Sequence, residues 1–260
     1  MFLAVDVGNT QIVLGIYQDS ELLHFWRLAS DVKKTEYEYL ALISELLRFE
    51  NLSAGDIKEM AIASVVPAIT STLQRLAKKY FYLQPLIVDS ETNTGMPILL
   101  DIPDEVGADR IVNAVAAYQD HGGPLIIVDF GTATTFDCVS SAGEYLGGAI
   151  APGIDISKEA LFTKAARLSS IVLTPPHKAI GTNTADSLRS GFFWGFAGQV
   201  DGIVGEMLLE LGGEAKVIAT GGLAKVIADY SKTIEEVDTF LTLKGLYLIY
   251  YRNKRLEVDI

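Results

Sequence analysis

The chain has 260 residues, room for one large domain or two packed halves, and 49% apolar against 21% charged residues supports a sizeable core. A formal net charge of -12, with no offsetting basic run, argues against nucleic acid and anionic membranes as partners, although backbone amides and a local Arg can still bind an anionic substrate. No stretch reaches the roughly 18 unbroken apolar residues of a membrane span, and Phe2-Leu3-Ala4-Val5 is too short for a signal-peptide core, so the expected compartment is the cytoplasm.

In chain order, residues 2–28 read as a meander of three strands, FLAVDVG, QIVLGIYQ and LLHFWRLA, with a polar tip at Asp19-Ser20-Glu21. From Glu36 to Phe49, the apolar positions Tyr39, Leu40, Ile43, Leu46 and Leu47 fall at helical spacing. EMAIASVVP is predicted as a strand, Thr70–Tyr80 as a helix, PLIVD as a strand and, after a loop rich in Gly and Pro, Ala108–Tyr118 as a helix. At Gly122-Gly123-Pro124 the series restarts: LIIVDFGT, ATTFDCVS and GEYLGGAIAP are three more strands. A polar segment before another helix follows, then KVIATGGLA as strand, turn and helix start, and Leu241–Tyr250 as an apolar helix. VDVGNT at 5–10 and VDFGTA at 128–133 stand about half a chain apart, which points to duplication and two α/β lobes, residues 1–118 and 119–260. The Gly-x-Gly-x-x-Gly dinucleotide fingerprint is absent.

Several residue groups bear chemistry. In Asp6-Val7-Gly8-Asn9-Thr10 a glycine turn exposes amides and two polar side chains to phosphate oxygens, and Asp6 is suited to hold a hydrated Mg²⁺ there. Hairpin chemistry alone also explains one such turn, but a second copy at Asp129-Phe130-Gly131-Thr132 favours a nucleotide clamp. Gly221-Gly222 would let adenine or ribose approach the backbone, or simply turn a strand into a helix, and Gly147-Gly148 would mark a bulge. In Gly107-Ala108-Asp109-Arg110, Asp109 is either a helix cap or the acceptor of a hydroxyl proton, and Arg110 suits a carboxylate. Asn113, one turn later, adds a polar contact or is solvated. Gly181-Thr182-Asn183-Thr184 offers capping hydroxyls or a substrate contact at Thr184. Cys138 reads as a buried structural thiol, and His24, His121 and His177 lack metal-ligand spacing.

VDVGNT, GADRIVNAVAAY, DFGTATTFD and VIATGGLA, in this order, resemble a type III pantothenate kinase, over residues 3 to about 250. The first and third motifs are shared across the sugar kinase/Hsp70/actin superfamily; Gly-x-Asp-Arg followed by Asn, joined to DFGTATT and GTNT, is narrower. The resemblance implies two duplicated ribonuclease H-like lobes with a nucleotide cleft between them. It implies ATP-dependent phosphorylation of pantothenate, the first step of coenzyme A synthesis, in a homodimer that needs Mg²⁺ and a monovalent cation, K⁺ or NH₄⁺. Asp6, Val7, Gly8, Asn9, Thr10, Gln11, Ile12, Val13 and Thr132 would serve ATP, with Asp6 reaching Mg²⁺ through the phosphates or water. Asp109 would be the base; Gly107, Ala108, Asp109, Arg110 and Thr184 would bind pantothenate, and Asp129 the monovalent cation. One departure stands out. Many members carry Tyr-Asp-Asn-Pro before Gly-x-Asp-Arg, whereas this chain has Leu100-Asp101-Ile102-Pro103, which puts an apolar side chain where the family's Tyr contacts pantothenate. The rivals are a kinase of the same fold acting on a sugar or small carboxylic acid, and a non-catalytic regulator.

Overall fold

FLAVDV is apolar at every position but one because its strand is buried on both faces of the sheet. In the computed structural model, which describes residues 1–165 and 171–258, strand β1 (Phe2–Val7) lies antiparallel to β2 (Gln11–Gln18) and parallel to β4 (Glu59–Ser64). With β3 (Glu21–Ala29) and the short β5 (Leu86–Ile87), the sheet order is β3-β2-β1-β4-β5. The β2–β3 tip turns through Asp19 and Ser20, both at positive φ, as a two-residue hairpin loop requires.

Helix α1 (Glu36–Phe49) begins with a capping box: the Thr35 hydroxyl accepts from the Glu38 N–H, and the Glu38 carboxylate accepts from the Thr35 N–H at 2.8 Å. Its Tyr39, Ile43 and Leu47 recur every four residues and enter a core with Leu3, Val5, Ile12 and Ile62. Helix α2 (Pro67–Leu76) starts three residues earlier than the apolar spacing suggests, because Pro67 suits a first turn that needs no N–H. A wider turn, Ala77–Phe81, prolongs it until Tyr82 leaves the helix at φ 57°.

These elements belong to one compact unit, Met1–Met96 with Asp101–Ala116 and the chain from Leu241 onward; the other comprises Pro97–Leu100 and Ala117–Phe240. Helix α3 (Ala108–His121) therefore begins in the first unit. Residues 241–258 group with the first unit by their contacts.

The second unit repeats the first. Strand β6 (Leu125–Phe130) is antiparallel to β7 (Ala133–Val139), which pairs with β8 (Tyr145–Pro152). Helices α4 (Ile154–Lys164) and α5 (Thr184–Glu210) precede β9 (Lys216–Gly221), which is parallel to β6. Helix α6 (Ala224–Ala228) and β10 (Glu236–Val237) follow. The order β8-β7-β6-β9-β10 matches the first sheet strand for strand. Its core joins Ile126, Val128 and Phe136 to Phe192, Phe193, Val200 and Val204 of α5. Helix α7 (Leu241–Val258) returns to the first unit, where Leu241, Leu243, Leu246 and Ile249 are buried. The α/β class and the duplicated mixed sheets are those expected from the sequence.

Candidate active site

In the first unit, Asp6 is the penultimate residue of β1, in register with Val13 on β2 and Ala63 on β4. The chain then turns tightly. The Gly8 N–H donates to the Gln11 carbonyl at 2.9 Å, the Ser30 hydroxyl to the Gly8 carbonyl at 2.6 Å, and the Ser30 N–H to the Thr10 carbonyl at 3.0 Å. Asn9, Thr10 and Gln11 are exposed, Ile12 is buried and Val13 partly so. Ile12 is thus a core residue.

The same unit carries Gly107-Ala108-Asp109-Arg110. Gly107 stands just before α3, and its carbonyl accepts from the Arg110 and Ile111 N–H groups at 3.1 and 3.3 Å. Asp109 is therefore the second helical residue and not the cap. Its Oδ1 accepts from the Arg110 N–H at 2.9 Å, a favourable place for an anion at a helix N-terminus. Burial nevertheless pushes the Asp109 carboxyl above its ordinary value of 3.8, outweighing the Arg110 N–H and guanidinium, which favour the charged form. A carboxylate of raised basicity beside a guanidinium can take a proton while the guanidinium holds an acid. Asn113 is not solvated: it is buried, and its Oδ1 accepts from the Thr242 hydroxyl of α7 at 2.8 Å.

The second unit holds the matching turn. Asp129 is the penultimate residue of β6, in register with Thr135 on β7 and Thr220 on β9. The Gly131 N–H donates to the Ala133 carbonyl at 3.1 Å, and the Gly131 and Thr132 carbonyls pack on Gly153, just ahead of α4. Gly221, which the sequence left as either an adenine or ribose contact or a plain strand-to-helix turn, closes β9 at φ 93° beneath the Asp129 carboxylate. The sequence signal for that pairing was the register of two strands ending in Asp-x-Gly and Thr-Gly, visible only once the strands are known to be neighbours.

Leu100 belongs to a strap along β8: the Tyr145 N–H donates to the Pro97 carbonyl and the Leu99 N–H to the Tyr145 carbonyl, both at 2.8 Å. Its side chain rests over Gly147, which has φ 111° beside a bulge in the β7–β8 pairing, as expected of the Gly-Gly pair. Underneath, the buried Asp137 carboxylate accepts from the Tyr145 hydroxyl at 2.5 Å and the Thr135 hydroxyl at 3.2 Å. At the start of α5 the Asn183 side chain caps by accepting from the Asp186 N–H at 2.9 Å. This leaves the Thr184 hydroxyl free of the cap role, in a pocket of about 450 Å³ lined with Gly181, Thr182, Asn183 and Ser187.

Cys138 is buried as expected of a structural thiol, and His24 pairs with Glu50 at 3.3 Å. Among the described residues no three His, Cys, Asp or Glu side chains gather as a metal cluster, and no helix is long and apolar enough to cross a membrane.

A family model described as type III pantothenate kinase matches residues 2–206. The chain is 52% identical over 254 residues to the type III pantothenate kinase of Citrifermentans bemidjiense, covering 98% of this chain and all of that one. It is 51% identical over 253 residues to that of Halalkalibacterium halodurans, covering 97% of this chain and all of the relative. Among solved structures, a Baf family transcriptional activator from Campylobacter jejuni superposes with a TM-score of 0.58 at 22% identity, over 97% of this chain and 99% of that one. Component A of the Acidaminococcus fermentans (R)-2-hydroxyglutaryl-CoA dehydratase superposes with a TM-score of 0.59 at 15% identity, over 98% of each. At these identities the two structures speak for the fold alone.

Proposed function

The chain belongs to the type III pantothenate kinase family, and on that premise we propose that it transfers the γ-phosphoryl group of ATP to the primary hydroxyl of pantothenate. The observation that carries this is Asp109, a carboxylate of raised basicity one residue inside α3, with Arg110 next to it. Asp109 accepts the hydroxyl proton as the oxygen attacks, and Arg110 binds the pantothenate carboxylate through two parallel hydrogen bonds. Gly107, Ala108 and Thr184 complete the contacts to pantothenate, and Leu100 supplies an apolar wall without a hydroxyl. Asp6, the Gly8-Asn9-Thr10 turn and Thr132 take the ATP phosphates.

The carboxylates Asp6 and Asp129 and the hydroxyls Thr10 and Thr132 at the two turns offer oxygens, which suit hard cations such as Mg²⁺. Such an ion, when bound, neutralises charge on the transferring phosphoryl group. Asp6 would hold it through phosphate or water, and Asp129 would hold K⁺ or NH₄⁺.

A homodimer through α5 fits its surface. Gly191, Gly195, Gly198, Gly202 and Gly205 recur every three or four residues, each with open space where a Cβ would be, and Trp194 and Leu209 are exposed. That spacing forms one stripe along which a second helix can approach closely. The cytoplasm is the compartment in which such an enzyme meets ATP.

The deciding experiment is ADP release with ATP, Mg²⁺ and pantothenate, in K⁺ and again in Na⁺ alone. Turnover that needs both pantothenate and K⁺ supports the substrate and the cation together. Turnover with a sugar or another hydroxy acid in place of pantothenate overturns the substrate, and folded protein without any turnover overturns the catalytic reading.

A further inference from the structure

We infer that Gly107 is a positioning residue for the base: the space left by its missing side chain is the space in which the Asp109 carboxylate lies. A Cβ placed on Gly107 would stand 2.5 Å from Asp109 Oδ1, while its next neighbours, Asp109 Cγ at 3.7 Å and the Arg110 Cδ at 3.9 Å, are at ordinary contact distance. The one atom in the way is thus the far end of a flexible side chain. Gly107 is not at positive φ, so an L side chain is compatible with its backbone. A side chain at 107 therefore leaves the fold in place and moves the carboxylate, breaking the 2.9 Å bond that Oδ1 accepts from the Arg110 N–H. That bond, with the burial that raises the basicity of the group, fixes both where the base points and how readily it takes a proton.

This role is separate from two others a glycine here can have. As the residue preceding α3, Gly107 accepts the first helical hydrogen bonds through its carbonyl, which any residue supplies. A backbone contact to the substrate, which the family resemblance implies, would act on binding. Positioning acts on the chemical step. The inference rests on Asp109 being the proton acceptor, as proposed above.

The test uses the full chain with ATP, Mg²⁺ and pantothenate, comparing wild type, Asp109→Asn, Gly107→Ala and Gly107→Ser. Both Gly107 variants add a Cβ, but Ser is a good N-cap and Ala a poor one. The expected result is a wild-type-like melting temperature for both, kcat lower by about 10²-fold in both, and little change in KM. The acid limb of the kcat–pH profile moves to lower pH as the carboxylate leaves its buried position. A loss confined to Gly107→Ala assigns the effect to capping, and a rise in KM at constant kcat assigns it to substrate contact; either overturns the inference. Unfolding of both variants overturns it too, since the carboxylate would then not have yielded. Near-normal turnover in Asp109→Asn removes the base itself and the inference with it. A dead Asp109→Asn beside normal Gly107 variants removes the positioning role alone.

Discussion

The Asp129 carboxylate sits directly over Gly221: a Cβ on Gly221 would come within 2.5 Å of Asp129 Oδ1 and 2.6 Å of the Phe130 carbonyl. Two parallel strands, β6 and β9, are in register here: Phe130 and Gly221 are the paired last residues, and the acid one residue earlier on β6 leans over the glycine. Gly221→Ala meets backbone as well as carboxylate, and it forces an L residue to φ 93°. It is expected to lower stability by about 1–3 kcal/mol and to weaken K⁺ activation together with turnover. Thermal unfolding and a K⁺ titration of ADP release read the two effects. A variant with normal K⁺ response would show that the Asp129–Gly221 contact does not govern the cation.

Asp109 links activity to pH-dependent stability. Burial raises its carboxyl, so the folded protein holds that proton more tightly than the unfolded chain, whose ordinary value is 3.8. The stabilising contribution of the raised value is complete below pH 3.8 and is lost as pH rises through the folded value, leaving a charged group at a cost near neutrality. Asp109→Asn removes that cost and keeps an oxygen to accept from the Arg110 N–H. The expected result is a higher melting temperature than wild type near neutral pH, a difference that closes toward pH 3.8, and kcat lower by about 10²–10⁴-fold. An Asn variant less stable than wild type at neutral pH would contradict the burial account. One with near-normal kcat would contradict the base.

Leu100 lies over Gly147 and on the strap held by Tyr145, so a larger planar ring has a glycine to rest on. Leu100→Tyr restores a phenol where the family's Tyr contacts pantothenate. One hydrogen bond of about 0.5–1.5 kcal/mol corresponds to a pantothenate KM lower by roughly 2- to 10-fold. The measurement is a pantothenate saturation curve at fixed ATP. An unchanged or higher KM ends the idea that Leu100 weakens binding.

Much of this was legible in sequence because both halves announce themselves the same way. The runs FLAVDV and LIIVDF each lead into Asp-x-Gly, and two further strands follow each of them. Helix α1 was readable because Tyr39, Ile43 and Leu47 keep one face. Helix α4 was not, since Ile154 is its one buried residue and no apolar stripe marks it. Helix α5 was legible at its start but not over its length, because the face that Phe193, Ala197, Val200 and Val204 bury is hard to tell from a chain that is apolar or glycine on its other sides too. Among the candidate residues, residue type and motif are what point to Asp109 and Asp129, whereas the closeness of Gly107 and Gly221 to their carboxylates depends on a helix start and on strand register. Asn113 shows the limit in the other direction: its place on the helix is plain from sequence, but its partner Thr242 is 129 residues away.

That distant pair supplies a control for the catalytic predictions. The Thr242 hydroxyl donates to Asn113 Oδ1 at 2.8 Å, and Asn113 is only 1% exposed, so Thr242→Val withdraws one buried hydrogen bond from Asn113. The loss is about 0.5–1.5 kcal/mol, read as a lower urea midpoint with an unchanged slope. Val matches Thr in shape, so α3 and α7 keep their packing and Asp109, one turn before Asn113 on α3, keeps its place. Turnover per folded molecule is therefore expected at the wild-type value. A variant with wild-type stability would show that the hydrogen bond carries no weight, and one that kept its stability while losing kcat would move Asn113 from the scaffold into the active site.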